Sequence, residues 1–463
     1  MFHKEIYIQR RKKLTEQLKN GIALFLGNTD VPMNYPSNTY HWRQDSTFLY
    51  FFGLDYQNMA AIIDFDSGES HLFGNDVSID DIIWMGPQIS TAEKAALCGA
   101  ENHHPYNAMA EMVSEALQKG RKVHFLPPYR AENKILLESL TTIKPANQKD
   151  SASVDLIKAV VKLRSVKDEY EIAELEKAME TAWLMHTTAM RMARPGVYER
   201  EIAGAVEGIA LSAGGMLSFP AIITRRGETL HNHYHGNKLE KNDLLLVDTG
   251  AETSMHYASD HTRTTPVGGT FTSRQRDIYQ AVLDAQMKAI DAIKPGVTNL
   301  SVHLLAARTL ASRLKDLGLM KGDIASAVEQ GAHALFMPHG LGHMMGLDVH
   351  DMEDLGENYV GYDEEVKRST IFGTAFLRLG RRYEPGFVIT IEPGCYFIPA
   401  LIDKWQAEGK FKDFINYDKV NEYRNFGGIR IEDDILVTES SYRNLGKPIP
   451  KTIEEVEEIA ARE

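Results

Sequence analysis

Four acids stand at the ends of strand-like apolar runs, and three histidines share one glycine-rich stretch. Leu244-Leu245-Leu246-Val247 reads as a buried strand and ends at Asp248, followed by Thr249-Gly250. Asp260 opens Asp260-His261-Thr262-Arg263-Thr264, a return strand with Asp260, Thr262 and Thr264 on one face, so a hairpin would bring the two carboxylates together. Val388-Ile389-Thr390-Ile391 runs into Glu392, and Gly428-Ile429-Arg430-Ile431 runs into Glu432-Asp433-Asp434. An ionised acid among apolar neighbours is costly unless a cation or donor compensates it. These strand ends therefore invite a metal.

The stretch Pro338-His339-Gly340-Leu341-Gly342-His343-Met344-Met345-Gly346-Leu347-Asp348-Val349-His350-Asp351 adds the imidazoles, spaced by glycines that let backbone approach a ligand closely. Four carboxylates and one imidazole suit a pair of Mn²⁺, Co²⁺, Fe²⁺ or Zn²⁺ ions bridged by carboxylates, and the oxygen-rich set favours manganese. Two such ions can hold a hydroxide and stabilise the oxyanion formed when it attacks a carbonyl.

The elements that must position these residues form an α/β pattern in a chain of 463 residues, long enough for two domains. Strand-like runs at residues 22–26, 60–65 and 122–126 alternate with helix-like runs such as residues 108–119, and Asp66-Ser67-Gly68 reads as a hairpin turn. The polar stretch 145–153 suits a linker, which places a first domain at residues 1–153 and a second at 154–463. A long helix is expected to start at Ser165 as its cap, with Asp168 favouring the positive end of the dipole and Ile172, Leu175, Met179 and Ala182 on one face. Helix-like segments stop at Arg194-Pro195-Gly196-Val197 and again at Lys294-Pro295-Gly296-Val297, an echo that suggests an internal duplication.

A formal charge of −13 argues against nucleic acid or an acidic membrane surface as a partner. With Cys98 and Cys395 the chain's two cysteines, no signal-like apolar stretch near the start and no run of about 18 apolar residues, a reducing cytoplasmic setting is expected.

Over roughly residues 156–456 these motifs resemble the pita-bread metallopeptidases, which include methionine aminopeptidase, aminopeptidase P and prolidase. The resemblance implies an α/β (α+β) pita-bread catalytic domain with pseudo-duplicated halves behind a smaller α/β domain. Residue by residue, Asp248, Asp260, His343, Glu392 and Glu432 match the metal ligands, and Glu392 would also handle the proton of the attacking hydroxide. His350 matches a histidine that contacts substrate, His339 a neighbouring site histidine, and Arg430 an arginine that pairs with the second aspartate. His231, seventeen positions before Asp248, matches the upstream histidine, with His233, which precedes Tyr234, as the alternative. Tyr396 is expected to face the substrate by the same resemblance, and Cys395 beside it to be a small buried residue. The two aspartates are twelve positions apart where the family has eleven, so the extra residue must be absorbed near residues 252–256 for Asp260 to face the right way.

Trp42-Arg43-Gln44-Asp45-Ser46-Thr47-Phe48 and Tyr50-Phe51-Phe52-Gly53 resemble the amino-terminal domain shared by creatinase, aminopeptidase P and prolidase, which methionine aminopeptidases lack. The insertion from Phe397 to Arg430 and Leu377-Arg378-Leu379-Gly380-Arg381 look like prolidase, with Arg378 matching an arginine that binds the dipeptide carboxylate. The resemblance thus implies hydrolysis of Xaa-Pro bonds, first as a dipeptidase, alternatively as an aminopeptidase on longer peptides, with a possible homodimer through the first domain. A metal-free, creatinase-like hydrolase or a binding module without catalysis is the rival from another class.

Overall fold

The computed structural model describes residues 1–462, which divide into two compact units, residues 1–164 with 352–359, and residues 165–351 with those from 360 onward. The first unit is built on a five-stranded mixed sheet ordered Asn102–Pro105, Ser70–Gly74, Ala60–Asp64, Ile22–Leu26 and Val123–Phe125. The hairpin of Ala60–Asp64 with Ser70–Gly74 forms because Asp66-Ser67-Gly68 turns the chain, with Gly68 at φ 80° where a side chain would be strained. Asp45 caps the buried helix Ser46–Phe52 by accepting from Phe48 N, and Gly53 ends it in the left-handed region.

Two expectations about the junction differ from the structure. Residues 145–153 are not a linker: Pro145–Ser151 is a helix that starts on Pro145, whose fixed φ suits a first turn. The helix Val154–Ser165 follows it, so the first unit runs through Arg164 rather than stopping at residue 153. Ser165 ends that helix, and the cap of the next one, Glu169–Met192, is Asp168, which accepts from Tyr170 N and Glu171 N in a capping box. Leu175, Met179 and Ala182 are buried as expected from their spacing.

The second unit repeats itself. Helices Glu169–Met192 and Glu199–Ser212 meet across Gly196 (φ 97°), and Ser273–Asp291 and Asn299–Asp316 meet across Gly296 (φ 84°). The backbone bonds Gly196 N to Leu239 O and Glu199 N to Asn237 O have counterparts in Gly296 N to Tyr383 O and Asn299 N to Arg381 O. Each Pro-Gly stop is thus braced by an equivalent backbone bridge, Tyr198 with Lys238 and Thr298 with Arg382, and the halves are pseudo-duplicated. Each half then delivers β-structure: His261–Pro266, Leu244–Thr249 and Ile222–Thr224 form one sheet, while Val388–Ile391, Asp433–Val437 and Tyr442–Asn444 form another. A two-stranded ribbon, Gly394–Tyr396 with Gly428–Arg430, completes the set.

The core of this unit contains two fully buried histidines, His303 and His333, whose ring nitrogens all lack partners among the described residues. Burial depresses their pKa values from 6.5 to about 3 and about 4. The unfolded chain therefore binds protons that the folded one refuses, so stability is complete above about pH 6.5 and is lost as pH falls through the range below it. At pH 5 each histidine should cost about 2 kcal/mol relative to pH 7. Thermal unfolding should show the midpoint dropping between pH 7 and 5, and His303→Leu should flatten that slope; an unchanged slope would count against a neutral buried imidazole.

Candidate metal centre

Asp248 and Asp260 reach one side of their hairpin because the register is unbroken. Asp248 pairs with Thr262, and the bridge between Glu252 and Ala258 continues the same pairing, so Asp260 lies opposite Gly250 on the face that carries Asp248. The extra residue sits in the turn beyond, where Thr253 N donates to Tyr257 O and His256 takes φ 65°. The hairpin tip absorbs it and the strands do not slip.

The histidine stretch is docked on the strand Val388–Ile391. Thr390 N donates to His343 O (3.0 Å), His343 N to Thr390 Oγ1 (3.1 Å) and Glu392 N to Leu341 O (2.8 Å). A Cβ on Gly342 would lie 1.9 Å from Thr390 O, so only glycine permits this approach. Glu392 is the next residue after that strand, which places it beside His343.

Glu432 was expected at the end of one continuous strand, but the chain breaks there: Gly428–Arg430 pairs with Gly394–Tyr396, whereas Asp433–Val437 pairs with Val388–Ile391. Glu432 occupies the crossing between the two ribbons. Its N donates to Thr262 O (3.1 Å) and its Oε2 accepts from Thr262 Oγ1 (2.7 Å).

These elements converge. Ligand atoms of Asp260, His343 and Glu432 lie within 4.8 Å of one another, and His343 Nε2 is 3.4 Å from Asp260 Oδ2 and 3.8 Å from Glu392 Oε1. His343 Nδ1 donates to Met344 O (3.0 Å), so Nε2 is the ring nitrogen turned toward carboxylate oxygens, an arrangement that suits a cation between them. Asp248 Oδ1 and Asp260 Oδ1 are buried with no hydrogen-bond partner among the described residues. Burial, with Asp248 nearby, raises Asp260 well above the usual carboxylate range; burial, with Asp260, Glu392 and Asp248, does the same to Glu432. Glu392 is pushed up to about 7 chiefly by burial. Carboxylates that hold protons when alone, beside buried orphan oxygens, fit divalent ions as the missing charge.

Arg430 differs from expectation. Its Nη2 bonds Asp248, the first aspartate, rather than Asp260, because its Nε donates to Thr262 Oγ1 (3.1 Å) and Thr262 is the cross-strand partner of Asp248. Tyr396 also differs. It is fully buried and does not line the cavity; its hydroxyl accepts from Arg430 Nη1 (2.8 Å) and donates to His339 Nε2 (2.9 Å). His339 Nδ1 donates to Gly340 O (2.7 Å), and burial, with Arg430 adding to it, lowers its pKa to about 4. His339 is therefore neutral with both nitrogens engaged, which leaves its ring to the cavity.

That cavity, about 920 Å³, is lined by Asp248, Asp260, His343, Glu392 and Glu432 among others. His339, His350, Arg378 and Arg430 share its wall, and both His231 and His233 reach it. Burial, with Arg430 adding to it, lowers the pKa of His231. His233 Nδ1 instead leans on Ala221 O at 3.4 Å. Sequence reasoning missed the apolar part of the wall, Phe219, Phe372, Phe376, Ile398 and Leu401, which carries no periodic or motif signal. It also gave Thr262 no role, although the alternation that puts Thr262 on the face of Asp260 was legible. Cys395 is fully buried, and burial pushes its thiol pKa up.

The sequence profile of metallopeptidase family M24 matches residues 173–439, and that of the aminopeptidase P N-terminal domain matches residues 7–124. A human Xaa-Pro dipeptidase is 30% identical over 98% of this chain and 93% of its own. A probable Xaa-Pro aminopeptidase PEPP from Uncinocarpus reesii is 31% identical over 97% and 93%. Among solved structures, aminopeptidase P from E. coli in its low-pH form has a TM-score of 0.82 at 29% identity, covering 99% of this chain and 98% of that one.

If divalent charge completes this site, adding Mn²⁺ to chelator-stripped protein should raise the unfolding midpoint, by the equivalent of about 2.7 kcal/mol at a hundredfold excess over Kd. Asp260→Asn, which removes one of the clustered charges, should abolish most of the rise and the bound metal measured by elemental analysis. A midpoint indifferent to metal in the native chain would contradict the fit.

Proposed function

Since the chain belongs to metallopeptidase family M24, we propose that this centre hydrolyses the bond between an N-terminal residue and a following proline. The observation that carries the reading is the convergence of two aspartates, two glutamates and an imidazole whose Nε2 is turned toward them. Asp248, Asp260, His343, Glu392 and Glu432 would hold two divalent ions, manganese first and cobalt, iron(II) or zinc as alternatives. Such ions supply Lewis acidity toward water and toward the scissile carbonyl.

The protein's own residues divide the remaining work. Glu392 is the ligand most open to the cavity, with its side chain 20% exposed, and is placed to take a proton from water and return it to the departing proline nitrogen. An Xaa-Pro bond has no amide hydrogen, so a site that asks for none can select it. His339, with its nitrogens occupied, offers a ring against the pyrrolidine, while His350 and His231 are the imidazoles placed to hold the peptide carbonyl. Arg430 is a positioning residue that steadies Asp248.

Arg378 on the same wall supports the dipeptidase reading, because a guanidinium can pair both oxygens of a proline carboxylate. The cavity's volume and its apolar wall at Phe219, Phe372 and Phe376 favour the second reading, an aminopeptidase that accepts longer peptides. Two buried free cysteines, Cys98 and Cys395, support a reducing cytoplasmic setting. Among the described residues no helix is long and apolar enough to cross a membrane. Exposed Ile79, Ile83, Trp84 and Met85 on the helix Ile79–Met85 support a homodimer through the first unit.

With Mn²⁺ present, Gly-Pro should be cleaved in preference to Arg-Pro-Pro, and Arg378→Ala should raise KM for Gly-Pro about tenfold while sparing the tripeptide. Preference for Arg-Pro-Pro would establish the aminopeptidase reading. Full activity without stoichiometric metal would revive the creatinase-like rival.

A further inference from the structure

Lys167 and Asp351 form an ion pair 184 positions apart in sequence, with Nζ 2.8 Å from Oδ2 and both side chains about 1% exposed. Neither residue lines the cavity. Taking two full charges out of water is poorly repaid by their attraction, so a buried pair is weak evidence for stability; a fixed geometry is the better account of it.

What the pair fixes is the loop that carries His350. Asp351 N donates to Met344 O (2.9 Å), closing the loop, and Asp348 N donates to Asp351 Oδ1 (3.3 Å) inside it. A Cβ on Gly346 would fall 2.7 Å from Asp351 Oδ2 and 2.9 Å from Lys167 Cε, so a side chain at position 346 would push the pair aside. Lys167 N donates to Gly386 O (2.9 Å), and Met345 N donates to Val388 O (3.0 Å), which ties lysine and loop to one stretch of chain. His350, the residue before Asp351, faces the cavity with its ring 4.2 Å from that of His343.

We infer that Lys167, acting through Asp351, is a positioning residue that sets the His350 imidazole against the metal centre. The inference rests on the reading of His350 as a substrate-contacting group. Its geometric part stands apart from any activity.

Lys167→Met should lower kcat/KM for Gly-Pro by 10- to 100-fold with metal content unchanged, and should cost less than twofold more in a His350→Ala background. The double variant Lys167→Met/Asp351→Asn, which leaves no buried charge, should show the same pattern and keeps the test open if the single variant fails to fold. A crystal structure of either variant should show the His350 ring displaced from its 4.2 Å approach to His343. An unmoved ring, an unchanged kcat/KM, or an equal loss with and without His350 would overturn the inference. A wild-type chain that cleaves no Xaa-Pro substrate, with the ring displaced in the variants, would instead overturn the proposed function and leave the positioning role in place.

Discussion

Mutual repulsion among buried carboxylates governs this molecule. Two unit charges 4 Å apart interact by about 4 kcal/mol at an effective dielectric of 20, and Asp248, Asp260, Glu392 and Glu432 line one cavity. Arg430 can offset one of them, and burial works against its charge less than Tyr396, Asp248, Glu392 and Glu432 work for it, so its pKa is raised. The imidazole of His343 turns its Nε2 to the same space. Such a cluster is tenable as a protonated set or as a set filled by divalent cations, and the latter is what the family's chemistry requires.

Holding four acids together against that repulsion needs rigid delivery, and the duplicated halves supply it. Each half joins a helix pair at a Pro-Gly stop, braces the stop with an equivalent backbone bridge, and contributes β-structure to the site. Thr262 links the two contributions: its backbone pairs with Asp248, its carbonyl accepts from Glu432 N, and its hydroxyl meets both Glu432 and Arg430. Behind it, Arg263 bonds Glu432 O (2.6 Å) and Asp433 Oδ1 (2.6 Å), and Lys451 reaches Asp433 Oδ2 (2.6 Å). The clustered acids are therefore backed by a second set of paired charges, in which Arg263 and Lys451 hold Asp433 ionised.

The chain Asp248, Arg430, Tyr396, His339, Gly340 shows how one polar run can serve two ends. Each donor in it has one available acceptor, which fixes the tautomer of His339 and removes Tyr396 from the cavity surface. The Lys167 and Asp351 pair performs the corresponding task for His350 on another side. Both devices act on an imidazole of the cavity wall.

The sequence by itself determined the acids at strand ends, the glycine-spaced histidines, the two Pro-Gly stops and the family they identify, because each is a local pattern of period, spacing or turn chemistry. It also determined that the odd residue between Asp248 and Asp260 had to lie in the hairpin turn, since strand alternation permits nothing else. Only the tertiary structure decided that Arg430 bonds Asp248, that Tyr396 lies behind the wall, that Glu432 sits at a break between ribbons, and that Phe219, Phe372 and Phe376 build the apolar side. Those outcomes depend on contacts between residues far apart in the chain, which local periodicity does not encode. The helix Pro145–Ser151 and the Asp168 cap are local by contrast: Pro145 opens one helix, and Asp168 accepts from Tyr170 N and Glu171 N at the start of the other.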